Sequence, residues 1–563
     1  MVKKIASRLL ALFLAALPIS VTLGGCSLTT FEGPEIDETK TQLEIGNMDK
    51  GLGDEWLDAV SAKFEEAYAD YPGENGKVGV QVVVTNKHSE FSTSSLVANM
   101  PYNNLDLYVV AESSYATLYM KQYEGESILA DLSEVVNAKN YDDEGNLVAD
   151  GTGTQSIASR MAEAYQNFYD ISSDGSGSYY ALPFFCTATG GVYDADYFDE
   201  AALYFYEDGV IGATQEDIEN RNCGPGPDGR MGTYDDGMPE TWEQFMELMN
   251  AIVATGDIPF IWDGLNDYER KYFFQQLYAN YEGANDYSLL YSLSGTDSQF
   301  GGINEENGYL LAGQEGRLAA NKAISDIMSN ASYYSEDAMK SSTTHTNAQM
   351  LYLKSVEKNQ RIAMFMEGSW WENEAREVFD DMALTEESWG HGKRNFKILP
   401  MPNFEGTTLA TAERTGGSPI VSAQKDDRQV MVMSDADGSA LFVSNQAPHK
   451  DLAMEFVKFI HSRDMLALTT QVSSVIRPFE YGFTEEEMAD CTPYTQSILT
   501  MMNDEYTDVI WGRAGRNSIV ENNAQLFQNW LSEEVFTTYF NGGDPYSVFL
   551  ASKSYYENNW PNK

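Results

Sequence analysis

Strand-like and helix-like segments alternate from the first apolar stretch of the folded region, and this most narrows the folds open to the chain. Leu43-Glu44-Ile45-Gly46 reads as a short strand that breaks into a glycine-containing loop. Trp56, Val60, Phe64 and Ala67 then recur at helical spacing, up to Tyr71-Pro72-Gly73. Val78–Val84 is a β-branched run, and Leu105–Val110 is a third strand. Strands alternating with helices predict α/β layering around a mainly parallel sheet. Ligands of such sheets sit beyond the carboxyl ends of the strands, here Asn47–Asp54 and Ala111-Glu112-Ser113. The pattern continues further on. Tyr180–Phe185 enters an extended stretch through Tyr193, Thr241 is an N-cap candidate for a helix to Ala254, Leu441–Val443 is a strand and Lys450–His461 an amphipathic helix. The stretch 255–350, rich in Tyr, Asn and Gly, reads as helices and long loops of one lobe, and no fixed-period repeat is seen.

With 563 residues there is length for two to four domains. The balance of 36 Lys+Arg against 86 Asp+Glu, a formal charge of −50, speaks against nucleic acid and anionic lipid as partners. A hydrophobic content of 43% rules out wholesale disorder.

The amino terminus addresses the chain. Lys3, Lys4 and Arg8 precede the apolar run Leu9–Leu17, too short for an ordinary membrane span and fitting a secretory signal over 1–25. It ends in Leu23-Gly24-Gly25-Cys26, which resembles a bacterial lipobox. That resemblance implies a diacylglyceryl group on the Cys26 thiol, cleavage before it, a tether over 26–42 and a protein on the extracellular face of the cell membrane. The alternative is ordinary secretion with a chance cysteine. Cys186, Cys223 and Cys491 are then left, without a C-x-x-C pair, and are expected to be free.

Several later motifs occur in one order. Leu105-Asp106-Leu107-Tyr108 is followed by Tyr180-Ala181-Leu182-Pro183 with Gly190-Gly191-Val192-Tyr193, then Met238-Pro239-Glu240-Thr241-Trp242-Glu243-Gln244-Phe245. Ala363-Met364-Phe365-Met366-Glu367-Gly368-Ser369-Trp370, Leu399-Pro400-Met401-Pro402 and Ser444-Asn445 through Phe459 complete the series. Together, behind a lipobox, they resemble the carbohydrate-type extracellular solute-binding lipoproteins of ABC transporters, the family that includes maltose-binding protein. Leu105 stands where that family usually has Pro, and Asp194 where it usually has Asn. The resemblance implies a two-lobed α/β fold of the type II periplasmic-binding-protein kind, with lobe one at 43–184 plus 440–478 and lobe two at 185–437 plus 479–563. It implies a saccharide bound between the lobes, ABC permease subunits as partners, no catalytic residue, no required cofactor and a monomer.

For the ligand site, Trp370 and Trp371 offer flat indoles that can bury a sugar face. Of Phe184 and Phe185, only one can face the cleft, and Phe185 is the candidate. Trp262, Asp263 and Asn266 form an aromatic-plus-polar cluster. Asp106 and Glu112 are placed to accept hydroxyl hydrogen bonds, and Arg477 and Arg414 to bind a hydroxyl or carboxylate, against plain surface ion pairs. The glycine-rich segment 222–237 brings together Asn222, Asp228, Asp235 and Asp236, oxygen donors suited to a structural calcium, against a plain double turn. Zinc-protease, hydrolase-elbow and P-loop motifs are missing. A secreted polysaccharide-acting enzyme, a surface adhesin or sensor partner without transport, and a peptide or polyamine receptor stand as competing readings.

Overall fold

The computed structural model describes residues 35–48, 51–86, 91–110, 114–172, 174–265, 270–434, 439–512, 519 and 533–561. The signal segment, Cys26, Glu112 and Asn266 therefore lie outside the described residues.

Two sheets organise the chain. The first contains β1 (Thr41–Asn47), β2 (Val80–Asn86), β3 (Leu107–Val110), β4 (Leu182–Pro183) and β10 (Ala440–Val443), in the order β2-β1-β3-β10-β4. The second contains β5 (Thr187–Asp194), β6 (Ile258–Ile261), β7 (Ile362–Gly368), β8 (Phe396–Ile398), β9 (Gln429–Ser434) and β11 (Thr507–Gly512), in the order β6-β7-β5-β9-β11, with β8 also on β5. In the first sheet β1, β2 and β3 are parallel and β10 runs against β3. In the second, β5 is antiparallel to β7, β8 and β9. The reversal follows from topology: β5 and β10 each enter a sheet from the other one, so they start at the edge where the remaining strands end.

Helices cover the sheets: α1 (Glu55–Ala67), α2 (Trp242–Thr255), α3 (Arg270–Ser292), α4 (Lys450–Ile460), α5 (Arg463–Ser473) and α6 (Pro493–Met502). α1 buries Trp56, Leu57, Val60 and Phe64 on one stripe, and Phe64 meets Phe456 of α4 at 5.0 Å, edge-on. Thr241 caps α2 by accepting the Gln244 N–H at 3.3 Å, and Gly256 ends it in the left-handed conformation at φ 96°. Cys186, Cys223 and Cys491 are buried, and no disulfide joins them. No helix among the described residues is long and apolar enough to cross a membrane.

Three passages link the sheets, and the first is stitched to each of the other two. The Phe185 N–H donates to Ser439 Oγ at 3.1 Å, and that hydroxyl donates to Phe185 O at 3.0 Å. Cys186 and Ile476 exchange backbone hydrogen bonds of 2.8 and 3.2 Å. Backbone polar groups at the junction are thus satisfied. The junction is where one lobe can turn against the other.

Candidate functional site

The carboxyl ends of β1, β2, β6 and β7 lie on the junction side of their sheets, where β10 enters beside Val110 and β5 beside Gly368. On the first side, Asn47 ends β1 and Asn86 ends β2. Asn47 Nδ2 donates to Asn86 Oδ1 at 2.9 Å, and Asn86 Nδ2 donates to Asp54 Oδ2 at 2.6 Å. Asn47 and Asp54 bound the segment expected from strand order, and Asn86 lies outside it.

On the second side, β7 ends in Glu367-Gly368, and Trp370 follows. Trp370 is 5% exposed, edge-on to Tyr272 at 5.9 Å, and its indole lies against Gly368, where a Cβ would come within 2.8 Å of the ring. Gly368 is therefore a steric requirement of the indole's position. Behind it, Gln349 Nε2 donates to Glu374 Oε2 at 2.6 Å and to Glu367 Oε2 at 3.4 Å, and the Gly368 N–H donates to Glu367 Oε1 at 2.9 Å. His345 Nε2 lies 3.7 Å from Glu374 Oε1. Burial first, then the Glu374 charge, push the Glu367 carboxyl well above the usual carboxylate range, which favours its protonated form.

The two sides touch. A Cβ at Gly51, in the loop after β1, would fall 2.2 Å from Glu374 Oε1, and Gly51 has φ +74°. Tyr165 and Trp511 meet edge-on at 6.3 Å. Trp511, near the carboxyl end of β11, is half-buried, and the sequence reading missed this contact. Its signal was the strand-like Thr507-Asp508-Val509-Ile510-Trp511.

Several expected ligand residues prove to be structural. Trp371 is fully buried, with Tyr352, Phe365, Phe379, Phe396 and Tyr494 at ring-centroid distances of 5.1–6.2 Å, so it is a core residue. Asp106 precedes β3, at the amino end and away from the cleft. Its carboxylate accepts the Glu44 N–H at 3.0 Å and the His449 N–H at 2.7 Å, a backbone tie between β1 and the segment before α4. Trp262 packs at 5.1 Å on Tyr334. Asp263, fully buried, accepts the Arg270 N–H at 3.0 Å and pairs with its guanidinium at 3.8 Å, which fixes the start of α3. Arg477 is enclosed behind the junction, its guanidinium 4.5 Å over Phe184 and donating to His461 Nε2 at 3.1 Å. Burial lowers its pKa to about 10. Arg414 takes the surface reading, paired with Asp544 at 3.3 Å. Phe184 lies 4.6 Å from Trp56, while Phe185 is 3% exposed in the stitched passage.

Of the glycine-rich segment, Asn222 is exposed. Asp236 is committed to the Gly232 and Thr233 N–H groups at 2.8 and 3.4 Å. Asp228 and Asp235 are buried together. A second acidic cluster, Glu282, Asp286 and Asp297, has its carboxylate oxygens grouped as a metal would need. Lys425 supplies the cation there, bonded to Glu282 and 3.3 Å from Asp286 Oδ2.

No family model matches the sequence, and no curated protein matches it. Solved structures do match. Apo RafE from Streptococcus pneumoniae is 15% identical, over 93% of this chain and 99% of that one, with a TM-score of 0.50. Maltose-bound MalE3 of T. maritima is 12% identical, over 92% of this chain and 99% of that one, at 0.51. A probable secreted solute-binding lipoprotein from Streptomyces coelicolor is 14% identical, over 92% and 100%, at 0.50. The chain has the two-lobed fold of these binding proteins. At such identities the likeness speaks for the fold alone.

Proposed function

We propose that this chain is a membrane-anchored extracellular receptor that binds a carbohydrate, an oligosaccharide by preference, between its lobes and delivers it to an ABC permease. The observation that carries the reading is the pairing of edges across the junction. Trp370 and Trp511 stand on one side and the Asn47–Asn86–Asp54 network on the other. An indole face takes the C–H face of a sugar, and amide and carboxylate groups take its hydroxyls. Maltose in T. maritima MalE3, a protein of the same fold, supports the ligand class.

In this reading the lobes divide at 43–184 with 440–478 and at 185–437 with 479–563, and Cys26 carries the lipid. Ligand contacts to both lobes favour the closed state, because the open state cannot make both sets at once. The protein acts by binding, not by catalysis.

Trp370→Ala tests the site. It is expected to abolish a saccharide-induced thermal shift while leaving a folded protein. An unchanged shift overturns the placement. Release of reducing ends from a glycan panel would instead support the enzyme reading.

A further inference from the structure

The loop 222–237 lies at the amino end of β11, on the edge of the second sheet away from the cleft, with Tyr234 OH 3.3 Å from Thr507 Oγ1. Asp228, Asp235 and Asp236 of the loop are all buried, and among the described residues neither Asp228 nor Asp235 has a side-chain ion pair. Asp235 is fully buried; Oδ2 accepts the Asp228 N–H at 2.9 Å and Oδ1 faces the Thr233 hydroxyl at 2.8 Å. Asp228 is 9% exposed; Oδ1 accepts the Arg230 N–H at 2.7 Å, and Oδ2 is buried with no hydrogen-bond partner.

The local donors are committed. Thr233 has one hydroxyl proton for Asp235, Arg230 O at 3.1 Å and the neighbouring Asp228 and Asp236 carboxylates. The Arg230 guanidinium turns away, 3.1 Å from Glu505 and 3.4 Å over the Tyr506 ring. Asp504 adds a further negative charge near Asp228. The loop closes tightly over the pair: a Cβ at Gly226, at φ +69°, would lie 2.2 Å from Asp235 O. Backbone this close, oxygen donors only and an open carboxylate oxygen suit a hard divalent cation that accepts irregular oxygen shells.

We propose that Asp228 and Asp235 form a calcium site that fastens this loop to the second lobe. Two of the four residues expected from the sequence are retained, and Asn222 and Asp236 are excluded.

The test uses the full chain stripped with chelator, then given calcium at about 2 mM, above the range of extracellular calcium modules. Magnesium is the control, and terbium luminescence sensitised by Tyr234 is the second readout. A calcium-specific rise in melting temperature with terbium emission is expected. Both should persist in Asn222→Ala and Asp236→Asn, and apparent calcium affinity should fall at least about tenfold in Asp228→Asn and Asp235→Asn. Asp228→Asn keeps the Arg230 bond, so it carries the test if Asp235→Asn does not fold. No shift and no emission in the wild type overturns the site. So does a response kept by Asp228→Asn, or an equal response to magnesium.

Discussion

Lys425→Met isolates the electrostatics of the buried acidic cluster. Glu282 and Asp286 flank Gly283, where α3 breaks helical geometry at φ 75° and ψ 162°. Asp297 faces them, held by Gln314 Nε2 at 2.7 Å. The Lys425 side chain is 17% exposed, against 0% for Glu282 and 8% for Asp286. At 3.3 Å and an effective dielectric constant of about 20, one such pair attracts by about 5 kcal/mol before desolvation is subtracted. Breaking a buried pair from one side typically costs about 3–5 kcal/mol. A loss of about 3 kcal/mol at pH 8 is expected.

The cost should depend on pH. Burial, opposed by Lys425, already raises the Glu282 carboxyl to about 7. A carboxyl raised on folding contributes stability that is full below its unfolded pKa and lost as pH rises through the folded one. Without the lysine the folded value rises further, so the deficit should be largest at pH 8 and shrink by at least about 1 kcal/mol at pH 5. Urea unfolding followed by tryptophan fluorescence reads both. An equal deficit at the two pH values, or a loss under about 0.5 kcal/mol, would refute the reasoning.

Three further outcomes are expected. Trp371→Ala should cost about 3–5 kcal/mol in chemical denaturation, since five rings lose their packing partner. Asp194→Ala should cost about 3–5 kcal/mol, because Arg394 and Arg361, at 2.6 and 2.8 Å from its carboxylate, lose their shared anion. Asp106→Asn should cost about 1–3 kcal/mol by weakening one of two buried backbone ties, and should leave any saccharide response unchanged.

Much of the scaffold was legible because its signals are local. The Thr241 cap, the α1 stripe and the β-branched run of β2 each follow from a few neighbouring residues. The residues proposed for the cleft rest on position: strand order points to Asn47–Asp54, and the motif around Gly368 points to Trp370. Trp370 and Trp371 are adjacent in sequence, yet one lies by the cleft and the other inside five rings. That choice is made by the turn between β7 and the following helical turn, which composition does not encode. Asp106 misled because a carboxylate beside a strand reads the same at either end, and only the pairing of β1 with β3 shows which end it holds. Arg477 and Asp263 misled because a charged residue near a glycine or proline suggests solvent, while their partners, His461 and Arg270, come from segments the reading did not connect to them. Trp511 escaped notice because β11 enters the second sheet from far along the chain.

The central claim is that the cleft between the lobes holds a saccharide. A thermal-shift screen of the purified protein against mono- and oligosaccharides, with amines and peptides as controls, tests it most directly. A ligand at about 100 times its dissociation constant should stabilise the fold by about 2.7 kcal/mol. The account predicts a saccharide hit that Trp370→Ala removes and Asp106→Asn keeps. A hit among the amines or peptides alone, with every sugar silent, would contradict it.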